Sequence, residues 1–219
     1  TQSRSSAASD VYKRQGPMTI TDSIADDYYN DPKKMGYDLA LCINNEVKAL
    51  SKAGCQYIQI DEPVFARKPD ETHDYGMENL ERAMHGILKE TQRACHICCG
   101  YPNSLDSEHY KKADLDAYDK IADLVEDSSI DEVSLEDSHR PIDLKLLEKF
   151  KKTRVIMGLI DVAKSRMESV EEVQERIREV LEHIDEERLI AAPDCGLGFF
   201  DRNQAKQKMQ ILSKAVKNL

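Results

Sequence analysis

Two hydrophobic rhythms alternate along the chain. Between 37 and 53, apolar residues Leu39, Ala40, Ile43, Val47 and Leu50 recur at helical spacing, and Gly54 follows where a helix C-cap belongs. The run 57–60 has strand length and leads into Asp61-Glu62-Pro63. The pattern then predicts a helix over 77–92, a strand around Cys95-His96-Ile97-Cys98-Cys99, and a helix over 114–125. A strand over 132–135, a short helix over 143–151 and a strand over 155–160 come next. A strongly periodic helix over 170–184 follows, with Ser169 as N-cap and Glu171 and Glu172 in its first turn. A strand over 189–192 and a helix over 203–216 complete the series. Residues 16–20 read as the end of a first strand, and 22–35 as a loop or broken helix.

Strand–helix alternation of this kind predicts parallel βα units, and short apolar strands fit a sheet covered on both faces. Asp61, Glu62, His96, Cys98, Glu136, Asp161 and Cys195 all fall at C-terminal strand ends. That is the functional rim of a (β/α)8 TIM barrel and also of a doubly wound sheet. The chain has no Gly-rich phosphate loop, which favours the barrel. About six of eight βα units are counted, so the expectation is an incomplete α/β barrel lacking its first two units. Residues 1–15 are rich in Ser, Ala and Arg without periodicity, and Ser5 to Gln15 resembles translated sequencing adapter. They are set aside as a non-native or disordered leader, and 16–219 is taken as one partial TIM-barrel domain.

Composition narrows the class further. Asp and Glu number 41 against 31 Lys and Arg, for a net charge of -10. This argues against nucleic acid or an anionic membrane as the main partner. No apolar run approaches the roughly 20 residues of a membrane span. The six Cys do not form the framework of a small secreted domain, so a reducing cytoplasm is expected.

The candidate chemistry lies in those cysteines. On a strand, His96 and Cys98 point to one face and Cys95, Ile97 and Cys99 to the other. A His-x-Cys pair on one face can grip zinc, although a buried pair without metal is the commoner case. Glu136 and Cys195, from two more strand ends, would complete four ligands. Alone, Glu136 also reads as a solvated carboxylate and Cys195 as a small core residue. Cys42, Cys55, Cys95 and Cys99 read as structural, and His73, His85, His109, His139 and His183 as solvated.

Five motifs stand in order: Gly16-Pro17-Met18-Thr19-Ile20, Gln59-Ile60-Asp61-Glu62-Pro63, His96-x-Cys98, Ser134-Leu135-Glu136-Asp137 and Pro193-Asp194-Cys195-Gly196-Leu197. From Gly16 to the C-terminus the chain resembles the C-terminal catalytic barrel of the cobalamin-independent methionine synthases. The resemblance implies methyl transfer to homocysteine, forming methionine, with Zn2+ on His96, Cys98, Glu136 and Cys195 and with Asp61 holding the substrate amino group. A zinc-bound thiol is a thiolate at neutral pH. Glu136, the oxygen donor, is the ligand expected to yield to the substrate sulfur. The implied partners are homocysteine or a similar thiol, and a methyl donor that is either methyl-tetrahydrofolate or a methyl-corrinoid protein.

Two departures qualify this. The family's first strands, which carry further homocysteine contacts including a glutamate, are not found, so the chain as given is expected to have little or no activity. Ala163 stands where the long synthases place a His that assists transfer from folate, and 161–166 resembles the short single-barrel relatives. Some of those use a corrinoid donor or a different thiol resembling coenzyme M. A barrel with purely structural Cys and His remains the alternative from another class. Asp161 and Arg166 either steer a carboxylate or cap the next helix, and Phe199-Phe200 either covers a flat donor or closes the barrel, the latter reading being preferred.

Overall fold

The computed structural model describes residues 11–100, 102–107 and 110–219. Six strands form one parallel sheet in sequence order: β1 (Val11–Gln15), β2 (Tyr57–Asp61), β3 (Gln92–Ile97), β4 (Glu132–Leu135), β5 (Arg154–Ile160) and β6 (Leu189–Pro193). Helices and loops cross between neighbours. They are α1 (Pro17–Ser23), α2 (Pro32–Lys52), α3 (Pro63–Arg67), the three-residue α4 (Pro69–Glu71), α5 (Met77–Met84), α6 (Ala117–Asp127), α7 (Val170–Leu181) and α8 (Arg202–Lys217). A π-helical turn (Thr72–Gly76) joins α4 to α5, and 3-10 turns occur at Leu144–Lys149 and Glu186–Arg188. This sequential parallel order is the βα arrangement expected from the alternation, a TIM-barrel-like α/β fold.

The central strands read as apolar runs because both faces are covered, whereas every residue of the edge strand β6 is half-buried. Every residue of β4 is buried, as are the last four of β3. Ile58, Ile60, Val133, Leu135, Val155 and Met157 meet the inner faces of the helices, including Val47, Leu80, Ile121, Val125, Ile177 and Val180. At the opposite end from the site, buried Glu132 pairs with Arg154 and accepts the Tyr57 hydroxyl.

Local chemistry sets the boundaries. Gly54 takes φ +94°, its N–H reaches Ser51 O, and Cys55 N–H reaches Leu50 O. That pair of bonds is a Schellman close to α2, as the sequence predicts. Ser169 caps α7 in a reciprocal box with Glu172.

Two expected elements are displaced. The first strand is Val11–Gln15, inside the segment set aside as a leader, and it pairs with β2 along its whole length. Residues 1–10 of that segment lie outside the described residues. Residues 16–20 instead open α1. Pro17 presets the first helical turn, and the buried carboxylate of Glu62 accepts from Met18 N, Thr19 N and Thr19 Oγ1. The helix expected over 77–92 ends at Met84, and Gln92 already belongs to β3. The turn between them is fixed from α2, where Ser51 Oγ accepts from Leu88 N and bonds Thr91 Oγ1.

Candidate metal centre

Parallel register builds the site. Asp61 on β2 lies beside His96 on β3, and His96 lies beside Ser134 on β4. One rung past the last Ile97–Leu135 pair, the two strands release Cys98 and Glu136, whose Sγ and Oε1 are 3.0 Å apart. β6 ends at Pro193, and Cys195 follows two residues later. One ligand atom from each of His96, Cys98, Glu136 and Cys195 lies within 4.8 Å of the others. The structure therefore gathers all four expected ligands, from three strands.

Each is oriented by its neighbours. His96 Nδ1 bonds Ser134 Oγ at 2.8 Å, while its buried Nε2 makes no hydrogen bond. A second-sphere bond on one ring nitrogen is what leaves the other available to a metal. Glu136 Oε2 accepts from Cys99 N at 2.7 Å, and the Tyr118 hydroxyl bridges Ile97 O and Glu136 N.

Charge is balanced tightly here. The Cys98 and Cys195 sulfurs titrate as a pair: their mutual interaction pulls the Cys195 pKa well below the usual thiol range and, with burial, pushes that of Cys98 up. Burial opposes charge on the His96 ring, yet the adjoining Cys195 sulfur together with the Asp61 and Glu136 carboxylates outweighs it and its pKa rises. Burial also raises Glu136. A cluster of two sulfurs, one imidazole nitrogen and one carboxylate oxygen, with an orphaned nitrogen aimed inward, fits Zn2+ in donor type and number.

A cavity of about 710 Å³ opens over the cluster, lined by Asp61, Arg67, His96, Cys98, Tyr110 and Cys195 among others. Asp61 is half-buried at its edge and accepts from Gln59 Nε2. Burial and surrounding carboxylates push the Tyr110 hydroxyl up to about 12.

A family model described as the catalytic domain of cobalamin-independent synthases matches residues 13–218. The chain belongs to that family. A methionine synthase from Thermococcus kodakarensis is 36% identical over 202 residues, covering 92% of this chain and 54% of the relative. One from Pyrococcus horikoshii is 33% identical over the same shares. The chain thus spans about half the length of the curated relatives it matches. A B12-independent methionine synthase from Shewanella sp. W3-18-1, solved in complex with selenomethionine, superposes with a TM-score of 0.85 at 32% identity. That match covers 95% of this chain and 61% of the other.

Within this synthase-family domain, several readings need correction. His139 is not solvated: its side chain is 5% exposed and lies between Asp194 and Glu136. Asp194, fully buried beside Cys195, accepts from Asp137 N, Ser138 N, His139 N and His139 Nδ1. Asp137 is held by a two-pronged bond from Arg176 of α7. The sequence signal was there, as Asp137, His139 and Asp194 flank the ligands directly. Asp161 and Arg166 act locally, since Asp161 Oδ1 accepts from Ala163 N and Arg166 pairs with Glu172 in the first turn of α7. His109 lies outside the described residues. Among the described helices none is long and apolar enough to cross a membrane.

Proposed function

We propose that this domain transfers a methyl group to the sulfur of homocysteine, forming methionine, with zinc held by His96, Cys98, Glu136 and Cys195. The observation that carries the reading is the gathered cluster of four ligand atoms within 4.8 Å of one another, of which His96, Cys98 and Cys195 line the cavity. Zinc would supply one thing, a substrate thiol that is deprotonated near neutral pH. The sulfur then forms its bond to the methyl carbon, the donor keeps the electron pair of the bond that breaks, and the thiol proton leaves to solvent.

The chain's own residues bind and orient. Asp61, at the cavity edge beside His96, suits the ammonium of an amino-acid substrate. Arg67 and Lys111 line the same cavity and offer positive charge to its carboxylate. Tyr110 keeps its proton and acts as a neutral wall over the sulfurs.

One observation favours a particular donor. Ala163 is buried and its carbonyl accepts from Asp106 N, so this position supplies no acid to a leaving nitrogen. A corrinoid donor needs no such proton, and the second reading is therefore a methyl-corrinoid protein in place of methyl-tetrahydrofolate.

The test is made on the protein extended to the full length of its relatives: zinc stoichiometry beside Cys98→Ser, followed by methionine formation from homocysteine with each donor. About one zinc per chain, much weakened in the variant, and methionine from one donor are the expected results. No zinc after refolding with the metal, or no transfer to homocysteine from either donor by zinc-loaded protein, refutes the proposal.

A further inference from the structure

One buried nitrogen beside the cluster is used by none of the ligands. His139 Nδ1 lies 2.8 Å from Asp194 Oδ2, and because a carboxylate oxygen only accepts, Nδ1–H donates. Across the ring, Nε2 is buried without a hydrogen bond and faces Glu136 Oε2 at 3.8 Å. The two oxygens of Glu136 therefore have different surroundings. Oε1 lies 3.0 Å from Cys98 Sγ, inside the ligand cluster. Oε2 takes the Cys99 N–H at 2.7 Å and has the His139 ring behind it.

We propose that His139 is a positioning residue for Glu136. Anchored by Asp194, its ring keeps Oε2 on the Cys99 side, so that Glu136 offers the cluster one oxygen, Oε1, and not two. The inference rests on the zinc reading above. Its consequence is chemical: a carboxylate limited to one oxygen leaves room in the metal's shell that a two-oxygen grip would fill, and a catalytic zinc needs that room for a substrate atom. The ring is placed from two sides. Asp194 gathers the backbone N–H groups of 137–139 and adjoins Cys195, so one imidazole connects the loop carrying Glu136 to the loop carrying Cys195. Outer-sphere partners of this kind are worth about 10–100-fold in metal affinity.

The experiment uses the intact protein stripped of metal. Zn2+ affinity is measured against a chromophoric chelator, and the ligand set is read from visible absorption after Co2+ loading. H139F keeps a ring and removes both nitrogens. H139N keeps a donor near the Nδ1 position for Asp194 and removes Nε2. Both variants are expected to bind zinc about 10–100-fold more weakly and to show an altered Co2+ spectrum. In an E136A background, H139F is expected to change neither, because the ring acts through that carboxylate. Circular dichroism reports folding, and H139N carries the test if H139F does not fold. Unchanged affinity and spectrum in the His139 variants overturn the inference, as does an equal loss from H139F with and without Glu136. A wild type that takes up no zinc overturns this inference and the zinc reading together, whereas a zinc-binding wild type with silent variants overturns this one alone.

Discussion

Lys208 has no exposed surface, although it is a lysine in the middle of α8. Its three donors are all used: Nζ meets Arg166 O at 2.8 Å and both oxygens of Glu168 at 3.0 Å. Glu168 in turn accepts from Asp161 N, at the end of β5. K208M should therefore cost much more than a lost surface ion pair. It strands a buried carboxylate, for which the expected loss is about 3–5 kcal/mol. The second variant is K208M/E168Q. It removes both charges while leaving an acceptor for Asp161 N, so it should recover much of the loss, to within ~1–2 kcal/mol of wild type. Urea unfolding followed by circular dichroism gives both numbers if the slope with denaturant is unchanged. Two results would refute the reasoning. K208M within ~0.5 kcal/mol of wild type would mean that the pair is as solvated as a surface bridge. Equal instability of the single and double variants would mean that the stranded charge is not the cause.

Glu62 gives a pH prediction. Burial raises its pKa from 4.5 to about 7, against the hydrogen bonds it accepts from Thr19 and Met18. The folded protein then holds this proton to higher pH than the unfolded chain, so the contribution is full below about 4.5 and is lost as pH rises through 7, a fall of about 3 kcal/mol. The difference between wild type and E62Q in urea midpoints across pH 4.5–8 should carry that slope, and parallel profiles would contradict it. Gly158 leaves no space for a Cβ, which would overlap Asp194 Oδ1 and come within 2.7 Å of its Cα. G158A should destabilise by at least the ~1–3 kcal/mol of an overpacked core and weaken zinc binding through Cys195, and wild-type-like values in both assays would refute this. S169A removes the α7 cap and should cost about 1 kcal/mol, read as a melting shift of about 2–4 °C; no shift would mean that Glu172 holds the turn alone.

Much of this was legible in the sequence because it is local. The strand at Leu189–Pro193 announces itself as a short apolar run and that at Glu132–Leu135 by Val133 and Leu135, and their C-terminal ends name Glu136 and Cys195. Parallel register does the rest, setting His96 beside Ser134 with no further information. What escaped depends on partners far along the chain. His139 reads as a loop histidine until Asp194, 55 residues on, is seen to bury it. Residues 16–20 read as a strand until Glu62 supplies acceptors for the helix start. The early end of α5 is set from Ser51, 37 residues before the Leu88 N–H it captures. Periodicity reports how a segment covers itself, and it is silent about a carboxylate arriving from another strand.

The carboxylate of Asp194 spans from the end of β6 to the loop after β4, passing the end of β5 where Gly158 leaves the gap. In mechanical terms it is a cross-brace over three neighbouring strands. The amides of 137, 138 and 139 all donate to that one group, so none can open to solvent without the others. Their hydrogen exchange should therefore be slow and correlated, at the rate at which the β4–β6 arc itself opens and not at the rate of a surface loop. The rim that carries the ligands is then as rigid as the sheet beneath it.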